Sequence, residues 1–539
     1  LLLKLKEDYV NTEDGDRLIV DDNLLARQCV MFFSAIIDVI RVIRSDLLFN
    51  YWKKKNVPYI KPLPIVGNYG KYILLQEYVG ILVQKLCLQF PNRPYFGAFF
   101  GTEPVLIVQS PELIKQILTK DFNYFNGREI SKYTNKEVIT QNLFFTSGDK
   151  WKTLRKNLNP LFSSAKMKDM YYLIEKYCHK FEAMMDLEIG KHNVIEAKQI
   201  STRYTVDCII SCGFGAEANA LSNPDNNPFI ILGDTIFKST NYAGFKMIFR
   251  ALWPALFYGF GFKVFSPSIS EFFSSLLKTV LKIRNYKSSS RKDFVDLLLK
   301  LKEDHVNPSD DDNFIVDDNL LAAQCVLFFA AGFETSATTL SFTLFELAKN
   351  QVVQKRAAEE VDEYLRRRGN KLHYECVNEL PYLEACMYET LRKYPVIGNL
   401  TREVMEDFTL PDGLRLEKGV RVHIPVYSMH HDPKYFPEPD VYNPDRFLPE
   451  NKDFIEPYTF FPYGEGQRIC LGNVFFICKN LSKMQVLGAL VTFLKKYRIE
   501  LAPGMPDKVV FESRSIPIQP RDQGLMLKVF QKLYSFNML

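Results

Sequence analysis

The sequence predicts a mainly α-helical protein with a small β-rich portion, folded as one large domain. Three observations carry that expectation. An apolar stretch of roughly thirty residues runs from Leu320 to about Asn350, opens on the N-cap-type cluster Asp317-Asp318-Asn319, and as a helix would span ~45 Å, enough to cross a whole domain. Between Met167 and Asp293 the chain reads as helices separated by polar breaks, whereas from Asn68 to Phe145 short β-like runs such as Pro104–Val108 alternate with helical stretches. No Pro/Gly/Ser-rich linker divides the 539 residues, although a prior of one domain per ~150 residues would allow several.

Composition agrees with a big core. Hydrophobic residues make up 47% of the chain and Phe alone contributes 43, enough to line an apolar pocket as well. A net charge of +5 gives no reason to expect a nucleic-acid partner. Ten cysteines without paired spacing suit a reducing compartment. The one close pair, Cys208 and Cys212, has no His or second Cys pair beside it, and a zinc site is not expected there.

Residues 1–35 repeat residues 297–331 at roughly three quarters identity. The copy stops just before Gly332, so segment 1–35 is assigned no independent function. A short apolar run, Cys29 to Ile40, leads into residues 36–67, a degraded anchor followed by the basic cluster Lys53-Lys54-Lys55 and a hinge with Pro58, Pro62 and Pro64. The run is far short of the ~20 apolar residues that span a bilayer, though it could lie in a membrane interface. Residues 68–539 then form the main domain. Within it, Trp151 and Arg155 lie i,i+4 and share a helix face, so an indole N–H and a guanidinium could meet one carboxylate; a surface helix with a half-buried Trp is the alternative. The patch Phe245–Phe265 reads either as a membrane- or substrate-facing surface or as plain core.

The centre of the long helix reads Ala331-Gly332-Phe333-Glu334-Thr335-Ser336. Gly332 costs about 1 kcal/mol against Ala in a helix and so invites a reason. A Thr that bonds back to the preceding turn and bends the helix is the bland account of Thr335. Further on, Glu389 and Arg392 lie i,i+3 on one helix face, Arg402 follows in a β-like strip, and Arg446 sits in the run Phe436 to Phe447. His430 and His431 lack ligand-spaced partners and read as turn residues. Last comes Phe461 to Gly472, in which Gly464, Gly466 and Gly472 surround Cys470, with Arg468 two residues ahead of it. Glycines let backbone approach a large flat ligand, a lone Cys in such a loop can ligate as thiolate, and Arg468 supplies a fixed cation. A Gly-rich turn around a structural Cys is the competing description.

The pattern Tyr463-x-x-Gly466-x-Arg468-x-Cys470-x-Gly472 resembles the heme-binding signature of the cytochrome P-450 monooxygenases, with Tyr463 where that family usually has Phe. The texture of Ala331–Ser336 and Gly464-Glu465-Gly466 is most like the insect microsomal branch that oxidises foreign compounds. The resemblance implies the P-450 fold around heme b, with Cys470 as the axial iron ligand. Trp151, Arg155, Arg402 and Arg468 would serve the heme propionates, with Gly466 and Gly472 shaping the loop. Gly332, Glu334 and Thr335 would form the dioxygen groove and proton relay, and Glu389, Arg392 and Arg446 a buried cluster that holds the heme loop. It further implies electrons from NADPH through NADPH-cytochrome P-450 reductase, with cytochrome b5 as a second donor, and a docking face that includes Lys150, Lys152 and Lys156. A hydrophobic small-molecule substrate and residence on the cytosolic face of the endoplasmic reticulum membrane complete the set. A heme-thiolate isomerase or lyase, or an inactive misassembled paralogue, are the other readings. The stretch 473–482 departs from the family by intervening before the next helix.

Overall fold

The computed structural model describes residues 49–532 except 129–130, 238, 288, 290, 292, 305–315, 472–477 and 522–523. The repeat 1–35, residues 36–48, Gly472 and the first part of 473–482 lie outside the described residues.

Near the start of the described chain, Trp52 is wholly buried and its Nε1 donates to Ala98 O at 2.9 Å, so the basic cluster is anchored to the domain at this residue. Lys55 turns back to Glu417 at 2.6 Å, while Lys53 and Lys54 stay exposed. A hairpin follows, β1 (Tyr95–Phe100) and β2 (Glu103–Val108), paired antiparallel with Tyr95 opposite Val108.

Helices then dominate: α1 (Gly148–Leu158), α2 (Ser164–Lys191), α3 (Ala197–Phe214), α4 (Pro228–Phe237), α5 (Asn241–Leu252), α6 (Pro254–Gly259) and α7 (Pro267–Ile283). The aromatic patch of the sequence divides between both of its readings. On α5 and α6, Phe249 and Phe257 are buried, whereas Leu256 and, just beyond, Phe260 are exposed.

The long helix α8 (Asp318–Lys349) starts where Asp317 accepts the Leu320 amide at 2.7 Å, and at 1.5 Å per residue it is ~48 Å long. Among the described residues it is the one helix long and apolar enough to cross a membrane, yet 67% of its most apolar window is buried inside the protein. A helix apolar on every side is a core helix, and α3 and α7 pack along it.

Beyond α9 (Pro381–Lys393), strands β3 (Leu400–Glu403) and β4 (Arg421–Ile424) return to the first hairpin: β2 pairs in parallel with β4, and β4 antiparallel with β3, in the order β1-β2-β4-β3. The β-rich portion is therefore assembled from both ends of the chain. The short helix α10 (Val426–His430) leads on to the cysteine loop, and α11 (Cys478–Lys496) packs against α2 and α8.

Candidate active site

The cysteine loop is shaped by its own backbone. Gly464 and Gly466 take φ of 76° and 73°, values that disfavour side chains, and a Cβ on Gly466 would lie 1.8 Å from Leu118 O. Gly464 N donates to Phe461 O at 2.9 Å, Ile469 N to Gly466 O at 3.0 Å, and Cys470 N to Tyr463 O at 3.0 Å. The loop thus presents Cys470 outward. Among the eight cysteines whose side chains are described it is the exposed one. Burial pushes the others up, Cys212 to about 12 for instance, so they are poor thiolates.

Facing outward in a second place is the middle of α8. Ala331 is exposed and Thr335 half-buried, although the helix is buried on either side of them, so this face is left uncovered. The Thr335 hydroxyl donates to Ala331 O at 2.7 Å, the back-bonded arrangement considered from sequence. Gly332 has a packing reason as well: a Cβ there would meet Ile209 Cδ1 at 2.3 Å, so the missing side chain lets α3 pack close. Glu334 is buried and turned to the same side as α3. Its carboxylate accepts Lys198 Nζ and Gln519 Nε2, each at 2.8 Å, at the edge of a cavity of about 530 Å³ that neither Cys470 nor Arg468 lines.

Arginines converge from four elements. Arg155 comes from α1, Arg402 from β3, Arg468 from the cysteine loop and Arg128 from the arm before α1. Arg468 lies over the buried Trp151 ring, 4.7 Å from its centroid, and donates to Thr146 O. Arg402 donates to Thr401 O at 2.8 Å, and Arg128 to Phe144 O at 2.9 Å. The buried Nε atoms of Arg402 and Arg468 have no hydrogen-bond partner.

Burial, and then the Arg128, Arg402 and Arg155 cations, push Arg468 down to about 7. Burial, and then the Arg402 and Arg155 cations, bring Arg128 to about 9, and burial alone brings Arg402 to about 10. Guanidinium groups hold their protons tightly; a buried set of them calls for an anion with more than one negative group. Arg128 was not among the residues singled out from the sequence, because the segment around it shows neither period nor motif.

A third group sits behind the loop. Glu389 and Arg392 are wholly buried and paired twice, Nε to Oε2 at 2.7 Å and Nη2 to Oε1 at 2.8 Å. Arg446 Nε stands 3.6 Å from Glu389 Oε1, and Asn443 N donates to the same oxygen at 3.0 Å. Arg392 also donates to His430 O at 2.9 Å and Pro439 O at 2.7 Å.

An outward thiol, partnerless buried Nε atoms in a polycationic pocket and a central helix opened at its middle fit a heme whose two carboxylates need cations and whose iron needs a thiolate. The cytochrome P-450 family model matches residues 57–526, and the chain belongs to that family of heme-dependent monooxygenases. Similar curated proteins come from insects. Cytochrome P-450 6B2 of Helicoverpa armigera is 32% identical over 510 residues, 93% of this chain and 98% of that protein. Cytochrome P-450 6k1 of Blattella germanica is 34% identical over 87% of this chain and 90% of its own. The probable cytochrome P-450 6a13 of Drosophila melanogaster is 33% identical over 89% and 94%.

Proposed function

We propose that this chain is an NADPH- and dioxygen-dependent monooxygenase that inserts one oxygen atom into hydrophobic small molecules at a heme b held by Cys470. The observation that carries it is the exposed Cys470 thiol in the same loop as Arg468, whose buried guanidinium meets three others. When bound, the heme supplies dioxygen activation, and thiolate ligation favours O–O cleavage. The chain's residues do the rest. Arg128, Arg155, Arg402 and Arg468 would hold the two carboxylates, and the Trp151 ring supports Arg468. Gly466, with its positive φ and its close approach to Leu118 O, lets the loop take the path that presents Cys470.

On α8, Thr335 presents a hydroxyl that could leave Ala331 O to donate to a bound ligand. Glu334 holds a proton route from the other side of α8, with Lys198 and Gln519 keeping its carboxylate at the solvent-connected cavity. Gly332 contributes by letting α3, and with it Lys198, come close. Electrons come from NADPH-cytochrome P-450 reductase, with cytochrome b5 as a second donor, at a face that includes Lys150 and Lys152. Residence on the cytosolic side of the endoplasmic reticulum membrane goes with that partnership. The intact Glu334–Thr335 pair disfavours an isomerase or lyase, which needs no protons from solvent.

The test is the carbon monoxide difference spectrum of the dithionite-reduced chain, followed by NADPH consumption with reductase and apolar substrates. A Soret band at the red-shifted thiolate position is expected in the wild type and absent in Cys470→Ala. An unshifted wild-type band would overturn the proposal. Charge reversal at Lys150 and Lys152 is expected to slow reduction while heme content stays constant.

A further inference from the structure

We infer that His430 is a positioning residue for the cysteine loop, tying the buried Glu389–Arg392–Arg446 cluster to the backbone that presents Cys470. The inference rests on the proposed role of Cys470 as heme ligand. From sequence His430 reads as part of a turn, but the structure places it at the end of α10, fully buried.

Both halves of the residue are engaged. Its carbonyl accepts Arg392 Nη1 at 2.9 Å, and its ring Nε2 accepts the Phe461 amide at 3.1 Å. From there the loop's own bonds continue: Phe461 O accepts Gly464 N at 2.9 Å, and Tyr463 O accepts Cys470 N at 3.0 Å. A continuous path of hydrogen bonds and short chain segments therefore runs from the Glu389 carboxylate to the residue that carries the thiol.

The chemistry requires a neutral imidazole. Nε2 can accept only while it keeps its lone pair, since both ring nitrogens of a protonated His are donors. Burial first, and then the His431 and Arg392 charges, push His430 well below the ordinary range, which keeps that lone pair available. Phe436, Phe460 and Phe461 surround the ring, with centroids 6.4, 5.1 and 5.5 Å away. Water has little access to stand in for the imidazole. Phe461 also precedes Pro462, which limits its backbone to extended conformations, so one bond at its amide sets the direction in which the loop departs.

His430→Phe keeps a ring of similar size but leaves the Phe461 amide buried without an acceptor. His430→Gln can place its side-chain oxygen near the former Nε2, while the shorter His430→Asn cannot. In the heme-loaded protein, the thiolate-type carbon monoxide band is expected to fall about tenfold or more in His430→Phe and His430→Asn, the scale of one unsatisfied buried donor, and to recover in His430→Gln.

In the heme-free chain, hydrogen exchange at the Phe461 amide should speed up by a similar factor in the same two variants. The helical circular dichroism should remain at the wild-type level. A thiolate band and a slow Phe461 amide that both survive in His430→Phe and His430→Asn would overturn the inference. If the wild type itself lacks the thiolate band, the role of Cys470 fails instead. Exchange at Phe461 then still decides His430: slow in wild type and fast in the variants supports it, equal rates overturn it. Should His430→Phe not fold, the contrast between His430→Gln and His430→Asn carries the same decision.

Discussion

Two arginine clusters flank the cysteine loop, and they are built on opposite principles. Arg392 and Arg446 are gathered around Glu389, so the charge that burial would penalise is met inside the protein. Arg128, Arg155, Arg402 and Arg468 are gathered without such a centre: behind the shift of Arg468 stand burial and three neighbouring cations, and behind that of Arg402 burial alone. A cluster built around its own buried counter-charge holds a shape. A cluster of one sign is arranged for something that arrives, which on the proposed function is the heme with its two carboxylates.

The comparison makes opposite predictions for the heme-free protein. Glu389→Ala leaves Arg392, which is wholly buried, without its counter-charge, and such a loss costs about 3–5 kcal/mol. Denaturant unfolding of the heme-free chain should show that loss directly, with heme uptake falling as a consequence. Arg468→Met should do the reverse. Removing one of four like charges leaves the heme-free chain as stable or more so, while heme binding weakens by about 1.5–3 kcal/mol, the worth of hydrogen bonds to a charged group. A heme titration set beside the two melting curves checks both. If Arg468→Met destabilised the heme-free chain as much as Glu389→Ala does, the division into a shaping cluster and a receiving cluster would be wrong.

The sequence shows the two clusters unequally, and the reason is physical. Glu389 and Arg392 are three residues apart on one helix, and Arg446 sits in a recognisable run, so helix periodicity and motif resemblance reach all three. Arg155 and Arg468 are legible in the same way, through the i,i+4 spacing with Trp151 and through the cysteine pattern. Arg128 is not. It lies in an irregular arm whose position depends on contacts such as Phe144, not on any local period.

Lys198 and Gln519 escaped for a similar cause: they reach Glu334 from 136 and 185 residues away, across packing that no spacing encodes. The helical class and the long core helix were legible because apolar continuity and an N-cap are local signals. The partner strands of β2 were not, since a parallel pairing is decided by the closed fold. Gly332 shows a subtler miss, for the sequence flags an expensive glycine but not which neighbour it makes room for.

The smallest expected effect sharpens the comparison from the side built around Glu389. His431 follows His430, stacks on Tyr427 at 4.0 Å, and has its Nδ1 2.8 Å from Tyr427 O. Burial first, and then the Arg392 charge, lower it from 6.5 to about 4, with the Tyr427 carbonyl pulling the other way. The unfolded chain therefore takes up this proton before the folded one does. Stability is complete above the unfolded value and is lost as pH falls from there toward the folded one. Between pH 7 and about 5.5 the loss from this single group comes to about 1 kcal/mol.

Thermal unfolding of the heme-free chain across that range should show the slope, and His431→Phe, which retains the stacking ring, should flatten it. Glu389→Gln should leave the slope between pH 7 and about 5.5 unchanged, because the folded imidazole is already unprotonated there, and should carry the loss further below pH 4, where an Arg392 charge no longer balanced lowers the imidazole more. A loss that ends at the same pH in Glu389→Gln as in the wild type would mean that Arg392 is screened from His431 and that the influence of Glu389 stops at the cluster's own side chains.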